Sequence, residues 1–230
     1  MKRYLALFAA CALVAPMVHA DSRKGKIADR LASASQAIEQ IMATPDKSIP
    51  SDILASATCV AVVPGYKKAA FVFGGQYGQG VVTCRTPNGW SAPTFIQLAG
   101  GSWGLQIGGQ STDLVLIAVN KQGFEDLLHS KFKIGADASA AAGPVGRKAG
   151  AATNLTMRSE LLTYSRNRGL FAGIDLSGTT VSQNTDDTRA YYGTNIPFRV
   201  ILDGHTAAPA SAQPFVRTVA KYFIKAKISN

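Results

Sequence analysis

The chain has 230 residues, 47% of them hydrophobic, and 24 Lys and Arg against 14 Asp and Glu, for a formal charge of +10. That length suits one well-buried domain, and no linker-like stretch divides it. The basic excess directs attention to acidic partners such as nucleic acid, anionic lipid or polyanionic saccharide, although the same excess also serves solubility alone.

Residues 1–20 read as a secretory signal peptide. Lys2 and Arg3 form a charged start, residues 5–14 are apolar, and Val18-His19-Ala20 ends in a small residue before Asp21. The apolar run is short for a membrane span, and no later segment approaches the length of about twenty residues that a span needs. Lipoprotein processing at Cys11 is the weaker alternative, because Phe8 stands three residues before it and apolar residues continue beyond. The mature domain is therefore expected to be 21–230, periplasmic or secreted, and peripheral to the membrane at most. It keeps a charge of +8, since the leader carries Lys2 and Arg3 and no acid. Export disfavours nucleic acid. Anionic membranes remain, attracting each nearby lysine or arginine by roughly 1 kcal/mol.

Residues 22–42 predict an amphipathic helix. Ile27, Leu31, Ala34, Ile38 and Ile41 share one face, flanked by Arg23, Lys24 and Arg30, with Lys26 further round. Such a stripe suits a lipid interface or docking onto the domain's own core. Pro45 and Pro50 break the pattern, and Ser51 or Asp52 is placed to cap a short second helix. From Cys59 the period becomes that of strands. We expect turns at 64–68 and at 76–78, and a hairpin turn at Thr86-Pro87-Asn88-Gly89. Strand candidates continue at 90–98, 103–108 and 114–119, a short helix at 121–130, and a small-residue segment at 136–152. Strands at 160–165 and 170–176, a helix at 186–192 and a basic amphipathic helix at 213–228 complete the chain. Short connections between successive strands argue for an antiparallel sheet.

Glycine recurs inside these strand candidates, in FVFGGQYGQG (71–80), QLAGGSWGLQIGGQ (97–110) and SRNRGLFAGIDLSG (165–178). Glycine weakens a strand, so its repetition points to bulges, bends or close approach of another backbone, and to a strongly curved sheet that is barrel-like in the limit. These segments, with SKFKIGADASAAAGPVGRKA (130–149) between the last two, resemble the successive blocks of the SYLF domain family, also called the Ysc84 actin-binding domain. The resemblance runs from about Cys59 to Tyr192. It implies a non-enzymatic domain that binds anionic phospholipids. Eukaryotic members add phosphoinositide and actin binding and place membrane affinity in an amphipathic N-terminal helix, a role that 22–42 is positioned to fill.

Other chemistry is thinly supported. Gly100-Gly101-Ser102-Trp103-Gly104 fits the nucleophile-elbow pattern, with Asp203 and His205 downstream, but the elbow needs a strand, a sharp turn and a helix, and residues 105–109 read as strand. No metal-ligand spacing, phosphate loop or dinucleotide motif occurs, so neither metal nor cofactor is expected. Cys59 and Cys84, the two cysteines of the mature chain, lie on neighbouring strand candidates. A disulfide and a pair of buried thiols are both consistent with that placement. The basic clusters are the stronger candidates: Arg23, Lys24, Lys26 and Arg30 on the first helix, Lys67 and Lys68, Arg147 and Lys148, and Arg166 and Arg168. Each pair alone reads as solvated charge; gathered on one face they would read phosphate, which arginine grips with a bidentate fork. The reading is a single α+β domain with a glycine-rich, curved antiparallel sheet flanked by helices. It binds anionic phospholipid at the bacterial envelope, with an envelope protein-interaction role as the alternative and a Ser102 hydrolase behind both.

Overall fold

A computed structural model of the chain describes residues 15–44, 48–71, 73–103, 108–120, 129–144, 161–166 and 176–224. Its centre is a strongly curled sheet. The long strands are β1 (Cys59–Phe71), β2 (Phe73–Thr86), β4 (Thr94–Trp103) and β5 (Gly108–Ala118), with the two-residue β3 (Gly89–Trp90) on β2. Shorter strands are β6 (Lys131–Lys133), β7 (Ala140–Ala142), β8 (Leu161–Arg166) and β9 (Thr180–Gln183). They run in the order β6-β9-β4-β2-β1-β5-β8-β7. Every pairing between named strands is antiparallel except β7 with β8, so the sheet is mixed rather than wholly antiparallel.

The helices are α1 (Ala15–Met42), α2 (Ser51–Ser56), α3 (Thr185–Tyr192), α4 (Phe198–Leu202) and α5 (Gln213–Tyr222). The apolar stripe of α1 is consumed by the core: Ile27, Leu31, Ala34, Ile38 and Ile41 are all buried. They pack with Phe215 and Val219 of α5 against Val60, Val62, Val81, Phe95, Val115 and Ile117, one face of the sheet. The alternate residues, Ala61, Val63, Val82, Ile96, Leu114 and Leu116, form a second core on the other face with Phe132, Val181, Phe198 and Leu202. Burial on both faces explains why β1 and β5 read as near-continuous apolar runs. Neither Ser51 nor Asp52 caps α2; Pro50 holds the N-cap position, with no side-chain cap bond.

Two expected reversals are not turns. Residues 64–68 lie within β1, where the register shifts between Val63 and Tyr66 and two residues, Pro64 and Gly65, stand opposite Asp113 alone. This is a β-bulge. Gly65 takes φ +59°, a conformation open to glycine, and its N–H donates to Asp113 Oδ1 at 2.9 Å. Proline and glycine carry the same local preferences in a bulge as in a turn, and pairing on both sides of β1 decides between them. Residues 76–78 likewise lie within β2, all three paired with β4 and Gln76 and Tyr77 also with β1. Glycine there serves close approach: a Cβ on Gly80 would stand 2.7 Å from the Val62 carbonyl oxygen across the bulge.

The Pro87-Asn88 hairpin forms as expected, with Thr86 paired to Gly89. So do α3 and the start of the C-terminal helix. The expected elements at 104–107, 121–128, 145–152 and 170–175 lie outside the described residues. Among the described residues no helix is long and apolar enough to cross a membrane.

Candidate functional site: a cation-rimmed groove beside the first helix

The bulge also sets which cation faces where. Strict alternation from Val63 would send Tyr66 to the face carrying α1; the extra residue instead leaves Tyr66 in the second core with Val63 and turns Lys67 toward α1. There Lys67 helps line a groove of about 510 Å³ between the polar edge of α1 and the bulged stretch of β1 with the facing residues of β2. Lys26, Asp29 and Arg30 approach from the helix, Tyr77 and Gln79 from β2, and Asp113 from β5.

The basic residues have unlike fates. Arg30 is nearly enclosed: Nη1 donates to Asp187 Oδ2 at 2.8 Å and Nη2 to Gln79 Oε1 at 2.6 Å, with 9% of each charged side chain exposed. Its charge is spent on the fold. Arg23 stands 3.9 Å from the same carboxylate but is 48% exposed, and Lys24 is exposed beside it. Arg166 lies 3.7 Å from Asp113 and also donates to Gln40 of α1. Lys26 and Lys67 are exposed and have no carboxylate within ion-pair distance among the described residues. Lys68 projects from the opposite face, one residue beyond Lys67. Arg147, Lys148 and Arg168 lie outside the described residues. The fold thus gathers Arg23, Lys26, Arg30, Lys67 and Arg166 along one side of α1, and of these Lys26 and Lys67 make no ion pair with a described carboxylate.

The remaining candidates resolve differently. Ser102 sits within β4, paired with Gly74 of β2, and the next described element is the strand β5 from Gly108 rather than a helix. Asp203 and His205 line a separate depression with Thr86 and Pro87. Gly74 and Thr86 mark opposite ends of β2, on the order of 30 Å apart along a curved strand. The three residues of the hydrolase reading do not meet. Cys59 and Cys84 are direct cross-strand partners, their Cα atoms are 4.0 Å apart and their sulfurs are bonded. One cation the sequence reading passed over is structural: Arg85 donates to the carbonyls of Ala57, Leu54 and Phe223 and lies over the Trp90 ring. Its location two residues before a proline turn gives no hint of that.

A helix strapped over a curled sheet, with a cation-rimmed groove along it, defines a single α+β domain. The chain belongs to the Ysc84 family, described as Las17-binding protein actin regulator, which it matches over residues 99–222. That match begins within β4 and takes in α5, later at both ends than the blocks at 59–192. The chain is 34% identical over 176 residues to Protein YSC84 of Saccharomyces cerevisiae, an alignment covering 75% of this chain and 37% of that protein. LAS seventeen-binding protein 3 of the same species is 32% identical over 189 residues, covering 80% and 41%. Human SH3 domain-containing YSC84-like protein 1 is 34% identical over 171 residues, covering 74% and 50%. The chain therefore spans half or less of the length of these relatives, one of which is named for binding.

Proposed function

We propose that the protein is exported through residues 1–20 and binds acidic glycerophospholipids at the bacterial envelope as a peripheral, non-enzymatic protein. The observation that carries this reading is the pair Lys26 and Lys67, exposed on facing rims of the groove and in no ion pair with a described carboxylate, although Asp29 and Asp113 line the same groove. Arg23 and Lys24 extend the same charged side toward the start of α1. Burial of the α1 stripe removes the amphipathic-helix route to lipid, so attraction is electrostatic at first contact. Exposed cations act over about 8 Å at physiological ionic strength, and binding of this kind weakens as salt rises. Protein purified from the periplasm should float with vesicles containing phosphatidylglycerol or cardiolipin, far less with phosphatidylcholine alone, and less as salt increases. Equal flotation with neutral and anionic vesicles, or none with either, would rule the reading out.

The second reading is an envelope protein partner held by the same face. The relatives named for binding Las17 favour it. Cross-linking in cells followed by purification would expose such a partner as a species lost when Lys26 and Lys67 are reversed to glutamate.

A further inference from the structure

We propose that the groove beside α1 reads a phosphodiester that carries free hydroxyls, the chemistry of a phosphoglycerol headgroup, rather than negative charge alone. The lipid source of that group rests on the membrane reading above. Two arginine clasps hold the walls of the groove in place. Arg30 of α1 donates to Gln79 of β2 at 2.6 Å, and Arg166 of β8 donates to Gln40 of α1. Arg30 and Gln40 stand about 15 Å apart along the helix. A wall tied at both points is formed before any ligand arrives, so binding does not have to order it.

The groups left free in the groove are of both signs. Lys26 and Lys67 are exposed cations in no ion pair with a described carboxylate. Asp29, Ser33 and Gln36 follow Lys26 at spacings of three, four and three, which sets them in one line along the helix. All three are exposed, and among the described residues no hydrogen bond or ion pair engages their side chains. Tyr77, the cross-strand partner of Lys67, is 49% exposed and brings its hydroxyl to the facing wall. The Asp113 carboxylate, by contrast, is already engaged by the Gly65 N–H at 2.9 Å and by Arg166 at 3.7 Å.

Each free group limits the ligand. The two ammonium groups suit a phosphate. A carboxylate only accepts hydrogen bonds and repels phosphate oxygens, so Asp29 weakens a site that reads charge alone and strengthens one whose ligand also donates. Ser33 and Gln36 both donate and accept, as a ligand hydroxyl does. Ala37 and Pro64 supply the only wholly apolar side chains of the lining, so the groove has no place for an acyl chain and suits a headgroup.

Glycerophosphoglycerol and dimethyl phosphate are soluble phosphodiesters of equal charge, with and without hydroxyls. Titrated into the periplasmic protein and followed by amide NMR shifts, the first should bind at least about fivefold more tightly. Asp29→Ala should bring the two within about twofold, weakening the hydroxylated ester and tightening dimethyl phosphate, whereas Lys67→Glu should weaken both. Vesicles of phosphatidylglycerol should likewise bind better than vesicles of phosphatidylmethanol, which have the same headgroup charge and no hydroxyl. Discrimination between the soluble esters but not between the vesicles would keep the site and assign it to a free ester. Equal affinity for the two soluble esters, or equal tightening of both by Asp29→Ala, would overturn the hydroxyl reading and leave the proposed function standing. Failure of the unaltered protein to float with any anionic vesicle would instead remove the membrane reading and with it the lipid source.

Discussion

Arg30 and Asp187 are 157 residues apart in sequence and 2.8 Å apart in space, and their ion pair ties α1 to α3. Asp187 also accepts from Asn184 Nδ2 at 2.9 Å, while Asn184 Oδ1 caps α3 by accepting from the Asp187 N–H at 3.0 Å. The pair is thus joined to a helix start, and the Arg30 guanidinium lies 5.7 Å from the Phe95 ring centroid.

Removing either partner strands a nearly buried charge. Arg30→Ala and Asp187→Ala should each cost about 3 kcal/mol in urea unfolding. The double variant should cost clearly less than the two losses added together. Strict additivity would show that the two groups do not interact.

The Cys59–Cys84 bond closes a separation of 25 residues and should stabilise the exported protein by roughly 3 kcal/mol. Intact mass after alkylation should show no modified cysteine before reduction and two after it, and the double Cys→Ala variant should melt lower. Two alkylated thiols in unreduced periplasmic protein would contradict the bond.

Deleting 22–42 should unfold the domain rather than merely release it from membranes, because six apolar residues of α1, Ala37 among them, are core. The finer test is Ile38→Ala, which should cost about 2–4 kcal/mol while leaving vesicle affinity of the folded protein unchanged. Loss of affinity at full stability would return α1 to the lipid interface.

Ser102→Ala should leave any ester hydrolysis at background, since Ser102 lies in a paired strand at the far end of β2 from Asp203 and His205. A saturable activity abolished by that change would reinstate the nucleophile.

Local signals in the sequence led to the elements they govern alone. The spacing of Ile27, Leu31, Ala34, Ile38 and Ile41 announced α1, and Pro87-Asn88-Gly89 announced its hairpin. Where two segments must meet, the residues carried less. Phe132 and Val181 are single buried apolar residues in strands of three and four residues, too short to show alternation. Pro64-Gly65 has the chemistry of a turn, and only the Asp113 carboxylate on β5 and pairing on both flanks make it a bulge. The candidate site was legible as a set of cations but not as an arrangement. Nothing near Arg30 reveals that its carboxylate partner is Asp187, and nothing near Lys67 and Lys68 shows that the bulge sends the first to the groove and the second away from it.

The bulge at Pro64-Gly65 has a consequence for how this domain can change length. Shortening β1 by one residue there would restore plain alternation with Val63 and Tyr66 still on one face and Val62 and Lys67 still on the other. Both cores and the rim cation would keep their sides, and only the local bend would go. The bulge thus absorbs one residue: it bends the strand while the side chains beyond it keep the faces they would take in a strand one residue shorter. A one-residue deletion at this point could therefore relax the bend beside the groove without rewriting the interior.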